Sequence, residues 1–169
     1  MEESKKIYLD ANVFLAAGNA AEEEHEVCLE LLRRVQEREV IACTAALTID
    51  EVVYIAKKYS NRTPAIATGF ALVNDPLLEI IPVTRELTRE ALELMENTKL
   101  EPRDAIHVAA AVIKGATTFV TLDRSMPIIK GIRKTDDLNV MCKVCNCAYS
   151  VKQKYGIDFL TALRRAHEF

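Results

Sequence analysis

The sequence predicts an α/β fold in three layers, a mostly parallel central sheet with helices on both faces, and three observations predict it. Short apolar runs rich in β-branched residues alternate along the chain with segments of helical periodicity. The segment Ala105 to Ile113 is apolar on every side except at His107, as expected of a helix packed centrally. Two strand-like runs end directly in an aspartate, Asp10 and Asp123, at the strand ends where parallel sheets collect their ligands.

The elements follow in order. Lys6 to Leu9 reads as a strand, and Val13 to Ala17 after Asp10 has helix-like density. Glu22 to Arg38 is an amphipathic helix, with Val27, Leu31 and Val35 on one stripe, Cys28 and Leu32 beside it, and Glu30 four residues before Arg34. Val40 to Cys43 is a brief buried strand. Apolar positions 45, 49, 52, 56 and 59 then repeat at helical spacing up to Asn61. Pro64 to Val73 is a further helix, closed by the turn signal Asn74, Asp75, Pro76.

Glu79 to Val83, with Ile80 and Ile81, is strand-like. Thr84 can cap a helix to about Asn97 that turns Leu87, Ala91, Leu94 and Met95 inward. Pro102 suits the first position of the central helix and Gly115 its stop. Thr117 to Leu122 is the last strand. This alternation implies right-handed crossovers between parallel strands. Beyond Leu138 the pattern loosens, so residues 1–138 are expected to form one domain and 139–169 a cysteine-containing extension. Within it, Ser150 and Gln153 have capping-box spacing ahead of a final helix carrying Phe159, Leu160 and Leu163.

Composition narrows the functional classes. A chain of 169 residues, half of them hydrophobic, can bury a core of its own. No run approaches the ~20 apolar residues of a membrane span, and MEESKKIYLD has no apolar signal region, so a cytoplasmic protein is expected. A net charge of -3 means that any nucleic-acid contact must be local. Five cysteines are an odd number for a disulfide framework. Cys142, Cys145 and Cys147 could offer thiolates to zinc, but a tetrahedral site needs a fourth ligand, such as Cys43, His25 or His167, that the spacing does not supply. Small, partly buried residues or redox-sensitive thiols is the favoured reading.

Four acidic residues, Asp10, Glu51, Asp104 and Asp123, fall where strand and helix patterns meet or where a helix begins. Each has a structural competitor. Asp10 and Asp123 could simply cap the segments that follow, Thr48 and Glu51 have capping-box spacing, and Asp104 in a first turn complements the helix dipole. Taken together they resist that explanation. Asp10 and Asp123 share a sheet edge, and Glu51 has Leu47 and Ile55 at i-4 and i+4, so it lies on or beside a buried face and needs a cation or donors. Carboxylates gathered at one edge repel unless divalent cations neutralise them. His107, one turn after Asp104, reads as a hydrogen-bonding helix residue rather than a base or ligand.

The stretches YLDANVFL at 8 to 15, TIDEVVYI at 48 to 55, RDAIHVAAA at 103 to 111 and FVTLDRSM at 119 to 126 resemble, in order and spacing, the four blocks of PIN-domain ribonucleases. In length and pattern the chain is most similar to VapC-type toxins of toxin–antitoxin pairs, and the tail after Leu138 is longer than a minimal toxin needs.

The resemblance implies that Asp10, Glu51, Asp104 and Asp123 hold one or two Mg2+ or Mn2+ ions. Asp10 and Asp104 would be the main ligands, Asp123 a direct or water-mediated one, and Glu51 would bind a second ion or orient water. Asn12 and Thr121 would support them through hydrogen bonds. The implied activity is endoribonuclease cleavage of RNA by metal-activated water, leaving 5'-phosphate and 3'-hydroxyl ends. Arg124, Lys130, Arg133 and Lys134, just after Asp123, are the favoured RNA contacts over Lys57, Lys58 and Arg62, although a solvated surface is the usual reading of such runs. An antitoxin protein and a second copy of the chain are the expected partners, with the apolar helices at 64 to 73 and 159 to 166 as dimer surfaces. The alternatives are a PIN-like domain that binds RNA or a protein without cutting, against which occupancy of all four acidic positions speaks, and an RNA-processing nuclease without an antitoxin. A haloacid-dehalogenase-type phosphatase would want an Asp where Asn12 stands.

Overall fold

Strand β1 (Lys6–Leu9) lies at the middle of the sheet, pairing in parallel with β2 (Ile41–Ala45) on one side and β4 (Thr118–Val120) on the other. The sheet is completed by β3 (Leu78–Ile81) beside β2 and β5 (Arg133–Thr135) beside β4, giving the order β3-β2-β1-β4-β5 with every pairing parallel. This computed structural model describes residues 6–127 and 133–135. Lys130, the 139–169 extension with Cys142, Cys145 and Cys147, and the final helix expected there lie outside the described residues.

The helices are α1 (Ala11–Ala17), α2 (His25–Gln36), α3 (Ala46–Tyr59), α4 (Arg62–Val73), α5 (Arg85–Asn97) and α6 (Pro102–Ile113). The two-residue period of the strands sorts their side chains between two cores. Ile7 and Leu9 of β1 join Val27, Leu31, Val35 and Val52 from α2 and α3. Tyr8, between them, points the other way and joins Leu87, Ala91, Ala105, Val108 and Ala109 from α5 and α6. A strand buried on both faces reads as continuously apolar, which is why KIYL carries no alternation. The three-layer architecture agrees with the sequence expectation.

Several local expectations find their physical cause. The Thr84 hydroxyl accepts from the Leu87 N–H and caps α5, Pro102 opens α6, and Gly115 ends it with φ +66°. Glu30 bonds Arg34 at 3.1 Å and also Arg33 at 2.7 Å, so this buried carboxylate is doubly compensated. A Cβ at Gly69 would stand 2.6 Å from a Val53 methyl, so the glycine is what lets α4 lie close on α3.

Three expectations are corrected. Helix α2 starts at His25 rather than Glu22, because Asn19 accepts from the Ala21 N–H and bonds Glu22 in a turn that holds those residues outside the helix. The C-terminal turn of α6 is not central, since Val112 and Ile113 are exposed. Strand β5 was not expected at all, because a charged three-residue segment shows no periodicity and becomes a strand only by pairing with β4. Among the described residues no helix is long and apolar enough to cross a membrane.

Candidate metal centre

Connections from β1 run outward through β2 to β3, and those from β4 run the other way to β5, so the sheet reverses direction between β1 and β4. Loops at the carboxyl ends of such a pair diverge and leave a crevice between them. Asp10 follows β1 and Asp123 lies three residues beyond β4, so both flank this crevice.

Asp10 is held from every side. Its extended backbone makes it the N-cap of α1, its Oδ1 accepts from the Ala11 N–H at 2.7 Å, and its own N–H bonds the Val120 carbonyl at 3.0 Å. Its Oδ2 accepts from the Asn12 amide at 2.9 Å and the Thr121 hydroxyl at 2.7 Å. Asn12 also accepts from the Leu122 N–H at 3.0 Å, and Thr121 accepts from the Asp123 N–H at 3.0 Å. Asn12 and Thr121 thus join the two strand ends into one unit. Capping and site-building are not alternatives at Asp10, because each oxygen serves a different purpose.

Asp123 is exposed, and its Oδ1 accepts from the Ser125 N–H and hydroxyl at 2.8 and 2.6 Å. These bonds anchor the carboxylate in a short turn after β4.

Glu51 sits in the second turn of α3, well past its N-cap at Ala45, so the capping-box reading fails. The Thr48 hydroxyl is 2.7 Å from that of Thr44 instead. The Glu51 carboxylate lies 2.9 Å from His107 Nε2 and 3.6 Å from the exposed guanidinium of Arg103. His107 Nδ1 in turn lies 2.7 Å from the Tyr8 hydroxyl, whose oxygen accepts from the Ala45 N–H at 2.9 Å. Burial holds the Tyr8 phenol protonated far above its usual range.

Asp104, in the first turn of α6, has its carboxyl pushed above the usual range, first by burial and then by the negative charges of Asp10 and Asp123. Glu51 adds to this repulsion and His107 partly offsets it. The charges of the other three acidic residues thus act on Asp104. One ligand atom each from Asp10, Glu51 and His107 lies within 4.8 Å of the others, but among the described residues neither Asp104 nor Asp123 belongs to this close group of ligand atoms. The carboxylates are hard oxygen donors of the kind Mg2+ and Mn2+ prefer, and their mutual repulsion is what a divalent cation relieves, so the residues fit such an ion.

The basic residues named from the sequence are spread differently. Arg124 is exposed beside Asp123, whereas Arg133 and Lys134 belong to β5, where Arg133 pairs with Thr118 and Lys134 with Phe119, short of the carboxyl edge. Arg103 was not among them, though it stands immediately before Asp104 and reaches Glu51. Tyr8 was missed as well. Its signal was a phenol inside an otherwise apolar strand, since a buried hydroxyl needs a partner.

Comparison with known proteins shows the family and the fold. Ribonuclease VapC7 of Mycobacterium tuberculosis is 29% identical over 118 residues, covering 69% of this chain and 81% of the relative. The structure of M. tuberculosis VapC20, described as a sarcin-ricin loop cleaving toxin, superposes with a TM-score of 0.58 at 19% identity, covering 71% of this chain and 92% of that one. DNA-bound VapBC from Salmonella typhimurium matches at 0.58 and 19% identity, covering 78% and 97% respectively. The family model described as PIN domain matches residues 7–132, and the chain belongs to the PIN domain family.

Proposed function

We propose that this protein is a metal-dependent endoribonuclease and the toxin of a toxin–antitoxin pair. The observation that carries the reading is geometric: ligand atoms of Asp10 and Glu51 lie within 4.8 Å of each other and of one from His107, and the charges of Asp10, Asp123 and Glu51 act on Asp104 nearby. One or two Mg2+ or Mn2+ ions bound there would supply activated water and neutralise charge on a phosphodiester. Asp10 and Asp104 are assigned as the main ligands, Asp123 as a direct or water-mediated ligand and Glu51 as ligand to a second ion or orienter of water. Asn12 and Thr121 fix the aim of Asp10 through the bonds to its Oδ2.

The RNA backbone is assigned to Arg124, with Lys130, Arg133 and Lys134 following it, and the exposed Arg103 is added at the rim. Support for the toxin role comes from the curated ribonuclease relative and from neighbours solved as toxin–antitoxin complexes, including one from Klebsiella pneumoniae. An antitoxin protein is therefore the proposed partner and the cytoplasm the proposed compartment. A homodimer is proposed through the α3–α4 side, where Tyr54, Tyr59, Phe70 and Val73 are exposed.

The test is cleavage of single-stranded and structured RNA with Mg2+ or Mn2+, comparing the wild type with Asp10→Ala and Asp104→Ala. Cleavage that needs the ion and disappears in both variants is expected. Undiminished cleavage in both would refute the site. RNA retained but uncut by the wild type would leave a binding module instead.

A further inference from the structure

We propose that His107, its ring fixed by Tyr8, is a positioning residue that holds the Glu51 carboxylate in the acidic pocket. The role rests on the metal-dependent reading above. The ring's hydrogen follows from its partners. Nε2 faces a carboxylate oxygen at 2.9 Å, which can only accept, so the hydrogen is on Nε2. At the other side of the ring, the Tyr8 oxygen already accepts from the Ala45 N–H, which leaves the phenol's own hydrogen for Nδ1 at 2.7 Å. The chain of donation runs from the α3 N-cap through Tyr8 and His107 to Glu51.

Glu51 needs such a hold. It is a flexible side chain facing a pocket of like charges, and without a donor it would lower its energy by turning toward water. His107 is 3% exposed, rises from the same helix as Asp104, and has its imidazole locked by Tyr8. Tyr8 is itself stacked on Phe119 of β4 with ring centroids 4.8 Å apart. Tyr8 stands two residues before Asp10, Ala45 caps the helix that carries Glu51, and His107 stands three residues after Asp104. One buried hydrogen-bonded chain therefore ties together the three elements that present these carboxylates.

Direct ligation by His107 is the competing role. It would cost the bond to Glu51 and leave that carboxylate without its close donor. The structure uses Nε2 for Glu51.

The test measures Mn2+ binding to the full chain by electron paramagnetic resonance for the wild type, His107→Ala, His107→Gln, Tyr8→Phe and Asp10→Ala. Melting without metal and pulsed detection of nitrogen bonded to Mn2+ accompany it. His107→Ala is expected to weaken Mn2+ binding by about 10–100-fold, the usual effect of losing a group that orients a ligand. Tyr8→Phe should weaken it less, and His107→Gln, whose amide can donate to Glu51, should recover most of the loss. No directly bonded nitrogen is expected.

Wild-type affinity in both His107→Ala and Tyr8→Phe, with binding lost in Asp10→Ala, would overturn the positioning role while leaving the metal site intact. So would a nitrogen bonded to Mn2+, which would make His107 a ligand, or equal losses in the Ala and Gln variants, which would make its role one of packing. Should His107→Ala fail to fold, the near-isosteric Tyr8→Phe carries the test. A wild type that binds no Mn2+ would overturn the site reading, and this inference with it.

Discussion

The two edges of the sheet treat a carboxylate in opposite ways. At the carboxyl edge, Asp104 is partly buried, and that burial and the charges of Asp10, Asp123 and Glu51 push its carboxyl above the usual range. At the amino edge, Glu79 of β3 lies 2.7 Å from Lys114 and 3.0 Å from Lys6, and these ammonium groups hold it below the usual range. Helix α6 reaches both, with Asp104 in its first turn and Lys114 at its C-cap. The amino edge pairs its carboxylate with two ammonium groups of the same fold. The carboxyl edge keeps a repulsion that His107 offsets only in part, and this separates a candidate site from a structural ion pair built of similar groups.

The largest effect that could break this contrast is on catalysis. Asp10→Ala should lower RNA cleavage by at least about a hundredfold, or ~2.7 kcal/mol of barrier, whereas Glu79→Ala should leave the rate essentially unchanged. Initial rates at saturating Mn2+ measure both, and equal losses would erase the distinction between the edges.

Metal should act on one edge only. At a hundred times its dissociation constant, Mn2+ should stabilise the folded protein by ~2.7 kcal/mol, read as a rise in melting temperature. The rise should vanish in Asp10→Ala and persist in Glu79→Gln. A rise that survives in Asp10→Ala would place the ion elsewhere.

The edges should also respond to pH with opposite sign. The folded protein holds the Asp104 proton more tightly than the unfolded chain, so this group makes metal-free stability fall as pH rises from the unfolded value through the raised folded one. Glu79 has the lowered value, so its contribution is present above the unfolded value and is lost as pH falls through the folded one. Chelator-treated melting curves for Asp104→Asn and Glu79→Gln across the acid range separate the two. If Asp104→Asn keeps the wild-type slope, the repulsion at the carboxyl edge is smaller than its geometry implies.

The smallest effect belongs to the amino edge. Glu79 and both lysines are partly exposed, so solvent screens the pair, and Glu79→Gln should cost no more than about 1 kcal/mol and less at high salt. Denaturant unfolding at two ionic strengths checks it. A much larger loss would mean that Glu79 has a role beyond screened pairing.

Much of the fold was legible because its signals are local. The Thr84 cap, the opening Pro102, the stop at Gly115 and the stripe of Val27, Leu31 and Val35 depend on neighbours within a turn or two. Asp10 and Asp123 were legible as a pair because the sequence reads each as following a strand, and parallel topology puts strand ends together, although Asp123 lies three residues beyond β4. Strand β5 was not, since Arg133 to Thr135 has no strand pattern of its own and takes its structure from β4. The start of α2 was misplaced because the Asn19 turn competes with helix over residues that look helical in isolation.

By itself, then, the sequence determined the alternation of strand and helix and a sheet covered on both faces, and it nominated the four acidic positions, because period and junction are properties of neighbouring residues. Tertiary structure alone decided how those carboxylates are held. Glu51 meets His107 across 56 positions and His107 meets Tyr8 across 99, and no spacing rule reaches that far. The partner of a buried polar group is chosen by which elements pack together, and that is settled only when both cores close around the sheet.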